Sequence, residues 1–366
     1  MAALDKWANP PQNGSECPMV SIVIATFNSA QLLPIILRAV RKQTYSQDRI
    51  EILAVDGGST DNTKSLAREF GCLVLDNDKT EPVNAKYIGF QAARGKYLVY
   101  LDHDEELQNP DAIRQMVETF RRYPAVRSVD SSGYISPRNY SIVNDYINEF
   151  GDPFSFFMYR QSRGAGFHLP AVARKADIEA DGEYATVFRA SPKNNALFIE
   201  NLAACVMTDL EYVRENISIH GSQDLCHLFY LLNEKGASFA VAKNNSLMHY
   251  SGDTFAKLLA KIRWRVKNNI HQTDAVGTAG FHGRQLFQPA SFRYRKYLFI
   301  PYAFSLLFPL LDAILLTVTR RKLFYSSHVL LTLYTAGQII YQMVLCQAGI
   351  KPAMRSYDEK KLIKNG

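Results

Sequence analysis

Four short apolar runs alternate with segments of helical periodicity in the first 125 residues, and this alternation constrains the fold most. The apolar runs are VSIVIAT (20–26), IEILAV (50–55), GCLVLDN (71–77) and KYLVYL (96–101). A continuous β-branched run such as the first is typical of a strand covered on both faces. Strands that alternate with helices predict an α/β fold with a doubly wound, mostly parallel sheet.

Polar clusters follow three of these predicted strands. They are TFN at 26–28, DGGSTD at 56–61 and DHDEE at 102–106. Open α/β sheets bind their ligands at the carboxyl ends of the strands. The three clusters therefore predict one binding site along a single edge of the sheet.

The third cluster is strongly acidic, because the stretch LVYLDHDEEL (98–107) places four carboxylates in five positions. Like charges this close repel, and burying them without partners is costly. Two explanations fit the pattern. The turn is solvated and caps the next helix, or it holds a divalent cation, since hard cations prefer clustered carboxylate oxygens.

The cysteines and the N-terminal residues indicate the environment of the protein. Five cysteines without CxxC spacing argue against a disulfide framework or a zinc site, and they fit a reducing compartment. Residues 1–18 contain no apolar core and no basic start, so we interpret them as a flexible lead-in and not as a signal peptide.

The C-terminal third is basic and contains two long apolar segments, residues 297–319 and 325–350. The first has a single charged residue, Asp312, and at about 1.5 Å per residue it is long enough to cross a bilayer core of about 30 Å. Basic residues flank both segments. A spanning hairpin would place the middle basic cluster on the far side, against the positive-inside bias, whereas helices lying in the interface would not. Both placements, and a buried helical pair, stay open.

The ordered motifs VSIVIATFN, VDGGSTDNT and ARGKYLVYLDHDEEL resemble the family-two glycosyltransferases with a GT-A fold. The resemblance covers about residues 19–125 and returns around GSQDL and LMHYSGDTFAKLLAKIRWRV. The hydrophobic tail resembles that of members acting on lipid-linked acceptors. The resemblance implies a GT-A domain over residues 19–275 and membrane-associated helices over 276–366.

The acidic turn would then be the DXD motif of the family, here Asp102-His103-Asp104. It would hold Mg²⁺ or Mn²⁺ against a nucleotide diphosphate, with Asp104 as a direct ligand and Asp102 shared between the metal and the ribose. His249 would be a third metal ligand or a structural histidine. Glu105 and Glu106 are expected to be solvated or capping.

The resemblance also places the nucleotide. Asp56 would accept hydrogen bonds from the base, usually uracil, while Thr26 and Asn28 would line the site. Lys86 would face the diphosphate, with a solvated lysine as the alternative. For Asp61 we expect an ordinary helix N-cap.

Asp224 in GSQDL matches the catalytic carboxylate of the family, although Gln223 stands where a glutamate often precedes it. As general base it would take the proton of the acceptor hydroxyl, and direct attack would invert the anomeric centre. The alternative for Asp224 is a helix N-cap. Asn194 and Asn195 are further candidates to bind the acceptor sugar.

The expected function is a metal-dependent, inverting glycosyltransferase at the cytoplasmic face of a membrane. Its donor would be a nucleotide sugar, its acceptor a lipid-linked glycan, and it would contact membrane lipids. The alternatives are transfer directly onto polyprenyl phosphate and a non-catalytic nucleotide-binding scaffold. Nucleic acid is not an expected partner. Binding through the basic tail would predict a steep salt dependence for oligonucleotides.

Overall fold

The computed structural model describes residues 17–191, 196–252, 254–271, 281–350 and 352. The candidate acceptor residues Asn194 and Asn195 lie outside this part of the chain, as does most of the predicted lead-in. The chain divides into two compact units, Met1–Ile135 with Gly164–Tyr250, and Ser136–Arg163 with Ser251–Gly366. We call them the sheet unit and the helical unit. The domain boundaries predicted from the sequence stay a prediction.

The twelve strands of the described residues all belong to the sheet unit. They are β1 Val20–Thr26, β2 Ile50–Asp56, β3 Leu73–Asp76, β4 Tyr97–Asp102, β5 Glu105–Leu107, β6 Val126–Asp130, β7 Gly133–Ile135, β8 Ile178–Asp181, β9 Ala185–Phe188, β10 Met207–Asp209, β11 Ser238–Ala242 and β12 Ser246–His249. The four strands predicted in the first 125 residues correspond to β1–β4.

The helices are distributed over both units. They are α1 Leu33–Arg41, α2 Thr63–Glu69, α3 Pro82–Ala92, α4 Ala112–Arg122, α5 Val143–Phe150, α6 Pro153–Tyr159, α7 His168–Ala173, α8 Leu210–Asn216, α9 Ser222–Cys226, α10 Leu228–Glu234, α11 Phe255–His271, α12 Phe281–Arg284, α13 Ala290–Arg295, α14 Phe299–Ser305, α15 Leu307–Arg320 and α16 His328–Gln347.

A nine-stranded sheet has the order β3-β2-β1-β4-β10-β6-β11-β9-β8. The first four strands in this order pair in parallel, while β10 pairs antiparallel with β4 on one side and β6 on the other. Only β10 and β9 run against the other strands. The predicted class, an α/β fold with a mostly parallel central sheet, is confirmed.

The register of the parallel strands aligns their carboxyl ends. Thr26 at the end of β1 lies opposite Asp56 at the end of β2, and Ala25 lies opposite Asp102 at the end of β4. The three polar clusters recognised in the sequence therefore follow neighbouring strands and share one edge of the sheet, where an open α/β sheet binds its ligands.

Each face of the sheet is covered by its own apolar layer. Along β1, Ile22 and Ile24 point into one buried cluster and Val23 and Ala25 into the other. This alternation follows from the two-residue period of a strand. Because both faces are buried, β1 is apolar almost throughout, which made it visible in the sequence.

Gly89 on α3 marks the closest approach of a helix to β1. A Cβ atom there would lie 2.3 Å from Cγ1 of Val23, too close for any real contact. We expect Gly89→Ala to lower the free energy of unfolding by about 1–3 kcal/mol, because the helix must move away from the sheet. Gly337→Ala on α16 is the matched control, since its Cβ would meet nothing within 4 Å. That variant should be neutral or more stable by about 0.5–1 kcal/mol, and denaturant unfolding of both proteins measures the contrast.

A second sheet has the order β5-β12-β7. Its antiparallel pair β5–β12 places His249 opposite Glu105, and the backbone N–H of Tyr250 donates to the carbonyl of Asp104 over 2.8 Å. Residues far apart in the chain are therefore fixed beside the acidic turn.

Residues 222–234 form two helices, α9 and α10, separated at His227. The N–H of His227 bonds to the carbonyl of Asp224, three residues back. This tightens the last turn of α9 into 3₁₀ geometry before α10 begins.

The first apolar segment of the tail is also broken within the helical unit. Helices α14 and α15 meet at Leu306, whose backbone has φ of 55°, and the axis turns by 86° there. Pro301 and Pro309 lie on either side of this bend, and proline opposes a straight helix. The second apolar segment is continuous in α16.

Candidate functional site

Hydrogen bonds join the loop after β1 to the loop after β2. The N–H of Asn28 donates to Oγ of Ser59 over 2.8 Å, and Oδ1 of Asn28 accepts from the N–H of Thr60 over 2.9 Å. The N–H of Ser29 donates to Oγ1 of Thr63 over 2.7 Å. Asn28 adopts φ of 48°, a backbone region that asparagine tolerates better than most residues. The two predicted nucleotide loops thus form one preorganised surface.

Asp56 fixes the conformation of the loop after β2. Its buried carboxylate accepts hydrogen bonds from the backbone N–H groups of Gly58 and Ser59, and from the hydroxyls of Thr26 and Ser59. Lys64 lies 3.7 Å from the same carboxylate. The structure places Thr26, Asn28 and Asp56 together, with Asp56 shaping the turn on which a base would rest.

Asp61 is not the N-cap of α2 that the sequence predicted, although it lies one residue before that position. The N-cap of α2 is Asn62, while Oδ1 of Asp61 accepts from the N–H of Thr63 over 3.0 Å. Its other oxygen accepts from the N–H of Ala30 over 3.1 Å. Asp61 therefore satisfies a free backbone N–H of the helix start and adds a further bond between the two loops.

Lys86 and Asp102 form a close ion pair at the end of β4. Nζ of Lys86 lies 2.5 Å from Oδ1 of Asp102, and the lysine is only 6% exposed. Burial alone would lower the pKa of Lys86, but the charges of Asp102, Glu105 and Glu200 raise it above the usual value. Lys86 is thus a buried, charged ammonium directed at the acidic turn, and not the solvated lysine of the alternative prediction.

Asp104 and His249 meet beside this pair. Nε2 of His249 lies 3.3 Å from Oδ2 of Asp104, and both side chains are partly exposed. The ring of Tyr134 lies 5.0 Å from the imidazole and supports it. Among the residues that the structure describes, no group of three or more histidine, cysteine, aspartate or glutamate side chains is placed to hold a metal ion.

Glu105 differs from the expectation of a solvated or capping residue, because it is 1% exposed. Its carboxylate accepts from the N–H of Asp102 over 3.0 Å, from the hydroxyl of Tyr134 over 2.6 Å and from the N–H of Ala204 over 3.2 Å. Burial, with the neighbouring charge of Asp102, raises the pKa of Glu105 to about 7. The expectation was wrong because the chain turns back into β5 and carries Glu105 inward.

We expect Glu105→Ala to lower the free energy of unfolding by about 3–5 kcal/mol, because it leaves three buried or partly buried donors without their acceptor. Glu106→Ala is the matched control, since that partly exposed carboxylate accepts one hydrogen bond, from the hydroxyl of Tyr250 over 2.5 Å. The control should cost about 1 kcal/mol or less. Equal losses in chemical denaturation would show that Glu105 does not brace the acidic turn.

Asp224 lies in the first turn of α9 and is partly exposed. Its Oδ2 accepts from the backbone N–H of His220 over 2.7 Å, so the side chain reaches back over the helix start. It is not the N-cap residue, which is Gly221. Among the described residues this is the one hydrogen bond that the carboxylate accepts, and it orients Oδ2 while Oδ1 is left for another donor.

The hydroxyl residues that join the two loops, Ser59 and Thr63, were not among the predicted site residues. Together with Glu105, these two residues fix the geometry of the predicted site residues. Both hydroxyl residues follow Asp56 within DGGSTDNT. Their spacing could have predicted a loop stabilised by hydrogen bonds between its own side chains and backbone. The buried state of Glu105 had no sequence signal, because it depends on the distant residue Tyr134.

Comparison with known proteins identifies this part of the chain. Residues 21–176 match the model of glycosyl transferase family 2. This segment belongs to that family, and the resemblance recognised in the sequence is confirmed. The matched segment ends within the sheet unit, and further strands of the same sheet follow it.

Individual relatives match over short stretches. The chain is 33% identical over 96 residues to glycosyltransferase AglE of Haloferax volcanii, covering 25% of this chain and 32% of that protein. It is 34% identical over 105 residues to a PGL/p-HBAD biosynthesis glycosyltransferase of Mycobacterium bovis, covering 27% of this chain and 40% of that protein. The chain thus spans well under half the length of these curated relatives.

Among solved structures, the mannosyltransferase PcManGT from Pyrobaculum calidifontis, in complex with GDP-Man and Mn²⁺, is 14% identical to the chain. The likeness covers 90% of this chain and 86% of that one, with a TM-score of 0.49.

Proposed function

We propose that the protein transfers a sugar from a nucleotide sugar, most simply a uridine diphosphate sugar, to a lipid-linked saccharide. The observation that carries the proposal is the shared edge of the sheet, where Thr26, Asp56 and Asp102 follow neighbouring strands. The joined loops offer a surface for the nucleoside. The acidic turn and Lys86 lie at the end of the adjacent strand, where the diphosphate would follow.

A divalent cation, Mg²⁺ or Mn²⁺, is proposed at the acidic turn, with substrate phosphates supplying ligands beyond those that the described side chains provide. Such cations are held by one or two carboxylates, with substrate phosphate oxygens completing the shell. Asp104 and His249 already converge within 3.3 Å, and Asp102 supplies a second carboxylate. These residues would hold the cation, which neutralises charge that builds on the leaving diphosphate. Lys86, charged and buried, adds a positive group on the same side.

Asp224 is the proposed general base. One oxygen of its carboxylate is oriented by the N–H of His220, and the other is free to accept the proton of an acceptor hydroxyl. The hydroxyl oxygen then attacks the anomeric carbon as the bond to the diphosphate breaks. A single displacement of this kind inverts the anomeric centre.

The helical unit supports a membrane-bound acceptor. Many large apolar side chains of α14 and α15 are about half exposed or more, including Phe304, Leu307, Phe308 and Val318. Contiguous exposed apolar surface of this kind marks contact with a membrane or a partner. By length and composition, one helix of the described chain, Leu323–Gln347, could cross a membrane, or two if the bent pair Ala290–Ser305 and Leu307–Arg320 counts as one span. We propose attachment at the cytoplasmic face, where nucleotide sugars are made.

Nucleotide release tests this function. Purified protein in detergent would receive a panel of nucleotide sugars, Mg²⁺ or Mn²⁺, and lipid-linked acceptors. We expect release with one donor that requires both the metal and a saccharide acceptor. Release with bare polyprenyl phosphate alone would assign the simpler acceptor instead. Donor binding without release for any acceptor would favour a non-catalytic scaffold.

A further inference from the structure

Two arginines of the helical unit lie against one group of aromatic rings. The guanidinium carbon of Arg160 is 4.4 Å from the ring centre of Phe156 and 5.6 Å from that of Tyr302. The guanidinium carbon of Arg295 is 5.3 Å from the ring centre of Phe157, which itself packs 4.7 Å from Tyr302. The two positively charged guanidinium groups therefore lie in the same partly buried environment.

Only one of the two arginines is neutralised by the described residues. Nη1 of Arg160 lies 2.5 Å from Oδ1 of Asp312, and Oδ2 of Asp312 accepts from the hydroxyl of Tyr302 over 2.6 Å. Both oxygens of this acid are thus engaged. Within the described part of the chain Arg295 makes neither an ion pair nor a hydrogen bond. Burial and the nearby Arg160 lower the pKa of Arg295, as expected for a cation that lacks a counter-charge.

The surroundings of Arg295 are amphiphilic. Tyr294, Tyr297 and Leu298 next to it in the chain are each at least 60% exposed. Lys296 donates to Oε1 of Gln285 over 2.8 Å, and so adds positive charge close by without adding an acid. A ligand for this place would combine an anionic group with an apolar body.

We propose that Arg295 and Arg160 form a binding site for a phosphate group carried by a lipid. Guanidinium groups bind phosphate oxygens through paired hydrogen bonds, and the aromatic rings fix their planes in advance. The exposed apolar side chains would contact the acyl or prenyl chain. The inference rests on the membrane attachment in the proposed function, and it adds the residues that bind the lipid phosphate.

Vesicle binding tests the site without any catalytic step. Phosphatidylcholine vesicles would contain phosphatidic acid, whose phosphate is terminal, or phosphatidylglycerol, whose phosphate is bridged, at matched surface charge. We expect the wild type to prefer phosphatidic acid by about tenfold, the effect of one or two charge-assisted hydrogen bonds. Arg295→Gln should lose this preference, since the variant keeps a planar, polar end group on a shorter side chain but not the charge or the paired donors.

Arg293→Gln is the matched control. Arg293 belongs to the same helix α13, is exposed, and makes no ion pair within the described residues. Removing its charge should weaken binding to both anionic vesicles alike, by about fivefold at low salt, and leave the preference intact. Equal preference in Arg295→Gln and Arg293→Gln would overturn the site. So would a wild type without preference.

A titration with inorganic pyrophosphate separates the two sources of phosphate. Binding of pyrophosphate in solution that needs Arg295, without any vesicle preference, would overturn the assignment to a lipid. The outcome is also independent of transfer. If the vesicle preference exists but nucleotide release fails, the proposed activity is wrong and the lipid site stands. If release succeeds without the vesicle preference, the proposed activity stands and the lipid site is wrong.

Discussion

Asp224→Asn is expected to lower kcat about a hundredfold to ten-thousandfold, the range that a positioned general base contributes. Asparagine keeps an oxygen that can accept from the N–H of His220, so the start of α9 should stay folded. The amide cannot take the proton of the acceptor hydroxyl. Steady-state nucleotide release, with donor affinity measured separately by calorimetry, should therefore show a loss in turnover and little change in donor binding.

Asp209→Asn is the control for this result. Asp209 also accepts a backbone N–H at a helix start, from Tyr212 over 3.1 Å, and loses the same charge. It pairs with Tyr97, at the edge of the sheet opposite to the candidate site. Its variant should lose stability, because it weakens the ion pair with Arg127, but should keep kcat. If Asp224→Asn lost no more turnover than this control, Asp224 would be a structural helix residue.

Asp104→Asn is expected to remove most metal-dependent turnover, by about a hundredfold or more, since Lewis-acid stabilisation of the leaving group amounts to several kcal/mol. An amide is a weaker ligand than a carboxylate and carries no charge. The measurement is a titration of kcat and of donor affinity with Mn²⁺. The variant should need far more metal, and chelation of the wild type should reproduce its loss.

Glu106→Gln provides the comparison for Asp104. It removes one negative charge two residues away and keeps an acceptor for the hydroxyl of Tyr250. We expect its metal requirement to remain close to that of the wild type. If Asp104→Asn had the same metal requirement as the wild type, Asp104 would not be a metal ligand. If both variants needed more metal to the same extent, the effect would come from the overall negative charge of the turn and not from ligation by Asp104.

The first half of the sheet was predictable because its signals are local. Strands buried on both faces are nearly continuous apolar runs, and β1 was predicted with the bounds that it has in the structure. The order of the motifs predicted the shared edge, and the register of β1 with β2 and β4 agrees. Motifs that follow strands can thus be placed before any side-chain geometry is known.

What could not be predicted depends on pairing between distant residues. Glu105 is buried because Tyr134 and Ala204 donate to it, and neither residue is near it in the sequence. The short strand β10 has three residues, too few for a recognisable pattern. The bend at Leu306 lies between Pro301 and Pro309 in the sequence, but its angle depends on packing within the helical unit.

Strand β10 has a consequence for how the protein is made. It fills the gap between β4 and β6, yet Met207–Asp209 are synthesised long after both neighbours. At about 5–20 residues per second, the ribosome leaves the facing edges of β4 and β6 open for several seconds. Open strand edges pair readily with other chains. The nascent sheet is therefore prone to aggregation during this interval. A chain cut after residue 176, where the family match ends, would lack β10 and would keep these edges of β4 and β6 open.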